Sequence, residues 1–143
     1  FLPFRVLADM PLAMSAHIVY RALDPRRPAT VSRRVIAEVI RGEIGFSGLL
    51  MSDDISMNAL AGTIGERARA ASRAGCDIVL HCNGKLDEMK AVAEAVPTLS
   101  GAARVRAAAA LARLGHEPEP FDVGEGRERL KSVLAMAGAG AET

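Results

Sequence analysis

The chain has 143 residues, of which 50% are hydrophobic and 24% charged, so it is long enough to bury the core of one domain. Its formal charge of +1 and aromatic content of 3% argue against a nucleic-acid or anionic-membrane partner, which requires a basic or ring-rich surface. No segment approaches the roughly 18 apolar residues of a membrane span. Cys76 and Cys82 form neither a CxxC pair nor part of a metal quartet, which favours a reducing, cytoplasmic setting.

The first predicted strand is a short apolar run that begins at Pro11 and ends at Ser15-Ala16-His17, and it suits a strand buried on both faces. A loop interrupted by prolines follows, and apolar side chains at helical spacing then predict a helix. Thr30 is the predicted N-cap of this helix, which ends near Gly42 or Gly45. Its apolar positions are Val31, Val35, Ile36, Val39 and Ile40.

Two more strands and four more helices are predicted in the rest of the chain. The second strand is "GLLMS", with Asp53 at its carboxyl end, and the third runs from Asp77 to His81. Between them, "GERARAASRAG" predicts a helix from Gly65 to Gly75. Good helix-forming residues predict helices over "KLDEMKAVAEAV", "SGAARVRAAAALARLG" and "GEGRERLKSVLAMAG", with fraying after Gly138.

This alternation of strands and helices predicts a parallel sheet with right-handed crossovers. An open doubly wound sheet usually has about five strands, and a closed (β/α)8 barrel needs eight and about 250 residues. About three predicted strands would leave long unpaired edges. We therefore expect the chain to be part of a larger fold, and its start at Phe1, without a Met, fits entry into the middle of a gene product.

Polar residues end all three predicted strands: Ser15-Ala16-His17, Ser52-Asp53-Asp54 and His81-Cys82-Asn83. The carboxyl ends of parallel strands meet at one edge of the sheet, so we expect these side chains to converge. Taken singly, each has an ordinary structural explanation, because an acid can cap a turn and a histidine can be a packed core residue. Together they indicate a functional site without naming its reaction.

Four stretches of the sequence, "PFR", "MSAHIVY", "GFSGLLMSDDISM" and "AGCDIVLHCN", closely resemble the bacterial β-N-acetylhexosaminidases of glycoside hydrolase family 3, over about Leu2 to Gly84. The resemblance implies a TIM-type (β/α)8 barrel, of which this chain would supply the last three strand-helix units. Residues 1–115 would be the C-terminal part of the barrel and residues 116–143 a C-terminal helical tail. A missing N-terminal barrel segment would be its partner.

The same resemblance implies a retaining glycosidase that removes terminal β-linked N-acetylglucosamine, notably from muropeptides in cell-wall recycling, and that needs no metal or organic cofactor. Asp53 matches the nucleophile, which forms a covalent glycosyl-enzyme. Asp54 would orient the loop through hydrogen bonds. Met57 could form an apolar wall of the sugar pocket and His17 could contact the sugar, although ordinary packing explains either residue.

One element of the family pattern is absent from the sequence. The family's general acid/base is a histidine in an Asp-x-His arrangement, whereas the residues two positions before His17, His81 and His116 are Ser15, Val79 and Leu114. Proton transfer contributes a factor of roughly 10²–10⁴ to such reactions, so we expect the chain alone to be inactive.

The sequence is also compatible with two other functions. The chain could be a non-catalytic remnant of the family that binds a sugar or another protein. Alternatively, Asp53 and Asp54 could bind Mg²⁺ in a receiver-like phosphoacceptor domain, which would require another acid at a strand end and a nearby lysine. Only Lys85 follows a predicted strand closely enough to serve.

Overall fold

The computed structural model describes residues 1–115 and 117–139. It shows a mixed α/β structure with a short parallel sheet. The elements in chain order are helix α1 (Leu2–Val6), strand β1 (Leu12–Met14), a 3-10 turn (Ala29–Val31), a π-helix (Val35–Glu43), strand β2 (Leu49–Met51), and helices α2 (Ile64–Ala74), α3 (Leu86–Ala95), α4 (Gly101–Ala112) and α5 (Val123–Ala139).

The predicted parallel pairing is confirmed, but the third strand is reduced to a single bridge. β1 pairs with β2 in the register Leu12 to Leu49, and Met51 at the end of β2 forms a parallel bridge with Ile78. Beyond this bridge, the Leu80 N–H donates to the hydroxyl oxygen of Ser52 at 2.9 Å, where a regular ladder would use a backbone carbonyl. The Ser52 side chain therefore interrupts the ladder one step after Ile78.

The prediction that the first strand is buried on both faces is wrong for the described chain. The side chains of Leu12 and Met14 are exposed, and only Ala13 between them is partly buried. The physical reason is that Leu12 and Met14 lie on the same face of the strand, since side chains alternate between faces, and no described element covers that face. The apolar side chains of Leu12 and Met14 are therefore not part of the core of the described residues.

The helix predicted after the first strand forms, but in a different geometry and with a different cap. Its main part is the π-helix, which buries Val35, Ile36 and Val39 as the spacing predicts. Thr30 does not cap it, because Thr30 lies inside the preceding 3-10 turn. The hydroxyl of Ser32 instead accepts the Val35 N–H at 3.2 Å.

The predicted helix between the second and third strands is confirmed as α2. A capping box begins it, in which the Thr63 hydroxyl accepts the Glu66 N–H and the Glu66 carboxylate accepts the Thr63 N–H. Gly75 ends it in a left-handed conformation with φ of +118°, a conformation that glycine adopts without a steric penalty.

The core lies where the π-helix and α2 pack against β2. Its buried members are Ile36, Phe46, Leu50, Ala71, Ala74 and Cys76. A second cluster, centred on buried Ile55, Leu60 and Ala68, lies beneath the loop that follows β2. The residues after the second strand are therefore held on a packed apolar base.

The three predicted C-terminal helices correspond to α3, α4 and α5. The proposed boundary at residues 115–116 stays a prediction, because His116 lies outside the described residues. Of the tail after Gly138, for which fraying is predicted, only Ala139 is described, as the last residue of α5. In the described part of the chain, no helix combines the length and the hydropathy that a transmembrane segment requires.

Candidate active site

The three predicted strand ends meet at one edge of the sheet, as expected. The Ser15 N–H donates to the carbonyl of Met51 at 2.9 Å, and the Asp53 N–H donates to the Ser15 hydroxyl at 3.3 Å. The N–H of Cys82, next to His81, donates to Asp54 Oδ1 at 3.1 Å. The polar residues at the three strand ends therefore form one connected group.

Asp53 is half-buried at the carboxyl end of β2. Its Oδ1 accepts the backbone N–H of Asp54 at 2.8 Å, which fixes the orientation of the carboxylate. Within the described residues, no side chain donates a hydrogen bond to this carboxylate and no cation pairs with it. Asp53 thus keeps acceptor capacity for a group outside the described chain, while its role as nucleophile stays a prediction.

Asp54 differs from its neighbour because both of its carboxylate oxygens have partners. Oδ1 accepts the N–H groups of Ser56 and Cys82, and Oδ2 accepts the Ser56 hydroxyl at 2.6 Å. Burial by itself would raise the pKa of Asp54, but the hydrogen bonds from Ser56 and Cys82, with the nearby His81, hold that pKa below its ordinary value. Asp54 is therefore an ionised group that joins the end of β2 to the end of the neighbouring segment.

Both ring nitrogens of His17 are occupied by groups of the chain itself. Nδ1 lies 2.9 Å from the Thr30 hydroxyl, and Nε2 lies 2.9 Å from the carbonyl oxygen of Asp54. A hydrogen bond from either nitrogen to a sugar would require one of these bonds to break. The predicted sugar contact of His17 stays a prediction.

Met57 lies in the loop beyond β2 with an exposed side chain. The guanidinium of Arg67 on α2 donates to the carbonyl oxygens of Met57 and Ile55, at 3.0 Å and 3.1 Å. The loop is therefore held from the side of α2, while the Met57 side chain is free to contact a ligand. Its place in a sugar pocket stays a prediction.

His81 ends the third predicted strand and has a side chain only 5% exposed. Its Nε2 lies 2.9 Å from a carboxylate oxygen of Glu88, and its buried Nδ1 has no hydrogen-bond partner among the described residues. Glu88 also accepts the Asn83 side-chain amide at 2.7 Å. His81 therefore anchors the start of α3 to the edge of the candidate site.

Three residues of this group were missed by sequence reasoning as members of the site. The sequence predicts Thr30 as a helix cap, yet its buried hydroxyl contacts Ser15 and His17. The signal for Ser56 is its position two residues after Asp54, which is the spacing of an Asx-turn. Glu88 lies on a helix surface pattern that gives no signal for its contact with His81.

The arrangement favours chemistry that uses a single unpaired carboxylate on a rigid strand end. Among the described residues, no group of three or more His, Cys, Asp and Glu side chains has the arrangement of metal ligands. Asp53 can meet positive charge that develops on a bound substrate, while Asp54 is committed to the protein.

Comparisons with known proteins give the family of this chain. Residues 1–114 match the model of the glycosyl hydrolase family 3 N-terminal domain. A beta-hexosaminidase of Alkalilimnicola ehrlichii is 53% identical over 85 residues, which are 57% of this chain and 24% of that protein. A beta-hexosaminidase of Tolumonas auensis is 46% identical over 88 residues, which are 58% of this chain and 26% of that protein. The chain thus spans about a quarter of the length of these relatives.

Solved structures agree with this match. A glycoside hydrolase family 3 beta-N-acetylglucosaminidase from Paenibacillus sp. superposes with a TM-score of 0.66 and 27% identity, covering 85% of this chain and 26% of that one. The beta-N-acetylhexosaminidase of Beutenbergia cavernae gives a TM-score of 0.60 and 30% identity, covering 78% and 35% of the two chains. The family match over residues 1–114 excludes the alternative of a receiver-like phosphoacceptor domain. The chain belongs to glycosyl hydrolase family 3.

Proposed function

We propose that this chain carries the nucleophile of a retaining β-N-acetylhexosaminidase that removes terminal β-linked N-acetylglucosamine, and that Asp53 is that nucleophile. The observation that carries the proposal is the difference between two neighbouring carboxylates. Both oxygens of Asp54 are bonded to Ser56 or Cys82, whereas Asp53 accepts one backbone N–H and otherwise faces no described partner. The names of the family relatives supply the substrate class.

In the proposed reaction, a carboxylate oxygen of Asp53 attacks the anomeric carbon, and the bond from that carbon to the leaving oxygen breaks. The leaving oxygen takes a proton from a general acid. Water then attacks the anomeric carbon of the glycosyl ester and gives up a proton to the same group acting as base, which restores the Asp53 carboxylate and leaves the sugar with its original anomeric configuration.

The general acid in this proposal is a residue outside the 143 residues of this sequence, because no histidine in it follows an acid by two positions. The chain alone is then inactive, and the strand-helix units described here complete a (β/α)8 barrel with a preceding segment. The exposed side chains on β1 and its unpaired edge within the described residues support such a partner. Muropeptides are the proposed substrate, and a cytoplasmic location suits the two free cysteines.

The test labels the nucleophile directly in the natural gene product that carries this chain. A 5-fluoro analogue of N-acetylglucosamine with a good leaving group slows hydrolysis of the glycosyl-enzyme, so that the modified peptide can be found by mass spectrometry. We expect the label on Asp53, and a label on Asp54 would refute the assignment. Protein that neither turns over an aryl β-N-acetylglucosaminide nor becomes labelled would instead support the non-catalytic, sugar- or protein-binding alternative.

The matched variants are Asp53→Asn and Asp54→Asn. Removal of the nucleophile by Asp53→Asn should lower kcat by more than about 10³-fold, since no other group can form the ester. Asp54→Asn retains an acceptor for the Cys82 N–H and should cost less than about tenfold, within the roughly 0.5–1.5 kcal/mol that a typical hydrogen bond contributes. Equal losses in the two variants would contradict the proposal.

A further inference from the structure

A run of hydrogen bonds joins Asp53 to Asp54 through three side chains from other parts of the chain. The Asp53 N–H donates to Ser15 Oγ at 3.3 Å, and Ser15 Oγ lies 2.8 Å from Thr30 Oγ1. Thr30 Oγ1 lies 2.9 Å from Nδ1 of His17. The other ring nitrogen of His17, Nε2, lies 2.9 Å from the Asp54 carbonyl oxygen. Because the two ends of the run are on adjacent residues, it closes around the Asp53–Asp54 peptide.

Elementary chemistry sets the direction of every bond in this run when His17 is neutral. A carbonyl oxygen only accepts, so the Nε2 of His17 must carry the proton and its Nδ1 must accept. The Thr30 hydroxyl therefore donates to Nδ1, and its oxygen accepts the Ser15 hydroxyl proton. The Ser15 oxygen is then the acceptor for the Asp53 N–H, so every hydroxyl and the imidazole donate once and accept once.

We propose that Ser15, Thr30 and His17 form a hydrogen-bonded bracket that positions the Asp53 carboxylate, in which the neutral form of His17 carries its proton on Nε2. The Asp53 carboxylate is itself held by the Asp54 N–H at 2.8 Å, and this N–H belongs to the peptide that the bracket encloses. Fixing that peptide fixes the carboxylate. The three bracket residues are positioning residues, and only their effect on turnover rests on the proposed function.

Burial and connectivity support a positioning role. Ser15 and Thr30 are buried, so neither hydroxyl is available to a ligand or to solvent. The bracket draws together the end of β1, the 3-10 turn and the end of β2, which are separated in sequence. The backbone of Thr30 has a contact of its own: the buried Cys76 thiol donates to the Thr30 carbonyl oxygen at 3.6 Å.

The bracket can be cut at Thr30 with a matched pair of variants in the natural gene product that carries this chain. Thr30→Val keeps the shape of the side chain and removes its hydroxyl, while Thr30→Ser keeps the hydroxyl and removes a methyl group. With an aryl β-N-acetylglucosaminide, Thr30→Val should lower kcat by about 10- to 100-fold with little change in KM, as expected for a misplaced reacting group. Thr30→Ser should stay within about threefold of the parent kcat.

A second pair gives the same information if Thr30→Val does not fold. His17→Gln offers one amide donor and one amide acceptor in place of the two ring nitrogens, whereas His17→Leu offers neither. We expect His17→Gln to retain more of the parent kcat than His17→Leu. Parent-like kcat in Thr30→Val, equal losses in Thr30→Val and Thr30→Ser, or equal losses in the two His17 variants would overturn the bracket.

The tautomer of His17 provides a test that does not depend on turnover. In protein with 15N-labelled histidine, studied at about pH 8.5 where an ordinary imidazole is neutral, NMR should show the His17 proton on Nε2. A proton on Nδ1 would overturn the proposal. If the parent protein does not hydrolyse the glycoside, the proposed function fails. Two measurements then still test the bracket: the tautomer of His17, and hydrogen exchange of the Asp53 amide, which should be faster in Thr30→Val than in the parent.

Discussion

Asp77 and Leu50 exchange two hydrogen bonds: the Leu50 N–H donates to Asp77 Oδ2 at 2.9 Å, and the Asp77 N–H donates to the Leu50 carbonyl at 2.8 Å. The Asp77 carboxylate, whose side chain is 6% exposed, also pairs with Arg41 at 2.7 Å and Arg106 at 2.8 Å. One buried acid therefore joins the π-helix and α4 to the central strand, away from the candidate site.

Loss of this acid should destabilise the protein strongly. Asp77→Ala leaves two guanidinium groups and the Leu50 N–H without their partner, and we expect it to lower the free energy of unfolding by roughly 3 kcal/mol, the lower end for a broken buried ion pair because Arg106 is 31% exposed. Chemical denaturation of the protein that carries this chain measures the change. The control is Asp87→Ala, a fully exposed acid on α3, which should shift stability by less than about 0.5 kcal/mol. Similar shifts for the two variants would contradict the role given to Asp77.

Glu88 should make the stability depend on pH in the acid range. Hydrogen bonds from His81 first, then from Asn83 and Lys85, lower the pKa of Glu88 from 4.5 to about 2. Because the folded pKa lies below the unfolded one, this contribution is fully present above about pH 4.5 and is lost as the pH falls towards 2. Glu88→Gln should therefore flatten the loss of stability between these pH values.

The measurement for Glu88 is the melting temperature of the parent and of Glu88→Gln, determined at pH values about one unit apart from pH 5 downwards. Glu94→Gln is the matched control, since Glu94 is an exposed residue of the same helix. It should leave the acid dependence of the melting temperature unchanged. An acid profile of Glu88→Gln that follows the parent would show that the hydrogen bonds of Glu88 do not contribute to folding.

Gly65 in α2 and Gly75, which ends that helix, should respond to alanine with opposite signs. Gly75 has φ of +118°, and a Cβ there would lie 3.0 Å from the Cγ2 of Ile36, so Gly75→Ala should destabilise the protein by more than about 1 kcal/mol. Gly65 lies in the first turn of the same helix, and a Cβ there would lie 3.5 Å from the nearest atom, an ordinary contact. Gly65→Ala should therefore stabilise the protein by up to about 1 kcal/mol. Equilibrium unfolding of both variants tests the signs, and destabilisation by Gly65→Ala would contradict this account of α2.

Local signals in the sequence predicted the elements that depend on neighbouring residues. The helix predicted from Gly65 to Gly75 agrees within one residue with α2, whereas its N-cap at Thr63 is identified only by the structure. The convergence of Ser15, Asp53 and His81 was also predictable, because the carboxyl ends of parallel strands lie at the same edge. The family match then agreed with the resemblance carried by the same motifs.

The sequence could not give the partners of individual polar groups, because these depend on distance in space. Thr30 suited a helix cap by its type and position, yet 15 residues separate it from the Ser15 hydroxyl that it contacts. Likewise, nothing local indicated that the Ser52 hydroxyl would accept the Leu80 N–H and shorten the third strand to one bridge.

The sequence by itself determined the order of the elements from β1 onwards, the parallel strand ends and the pair of acids at the end of β2, since each follows from residue type and spacing. Only the tertiary structure decided how the two acids differ. Asp54 is bonded through Cys82 to a segment 28 residues away, while Asp53 keeps a single backbone donor. Adjacent residues in an extended chain point in different directions, and which direction meets a partner depends on the segments that packing brings alongside.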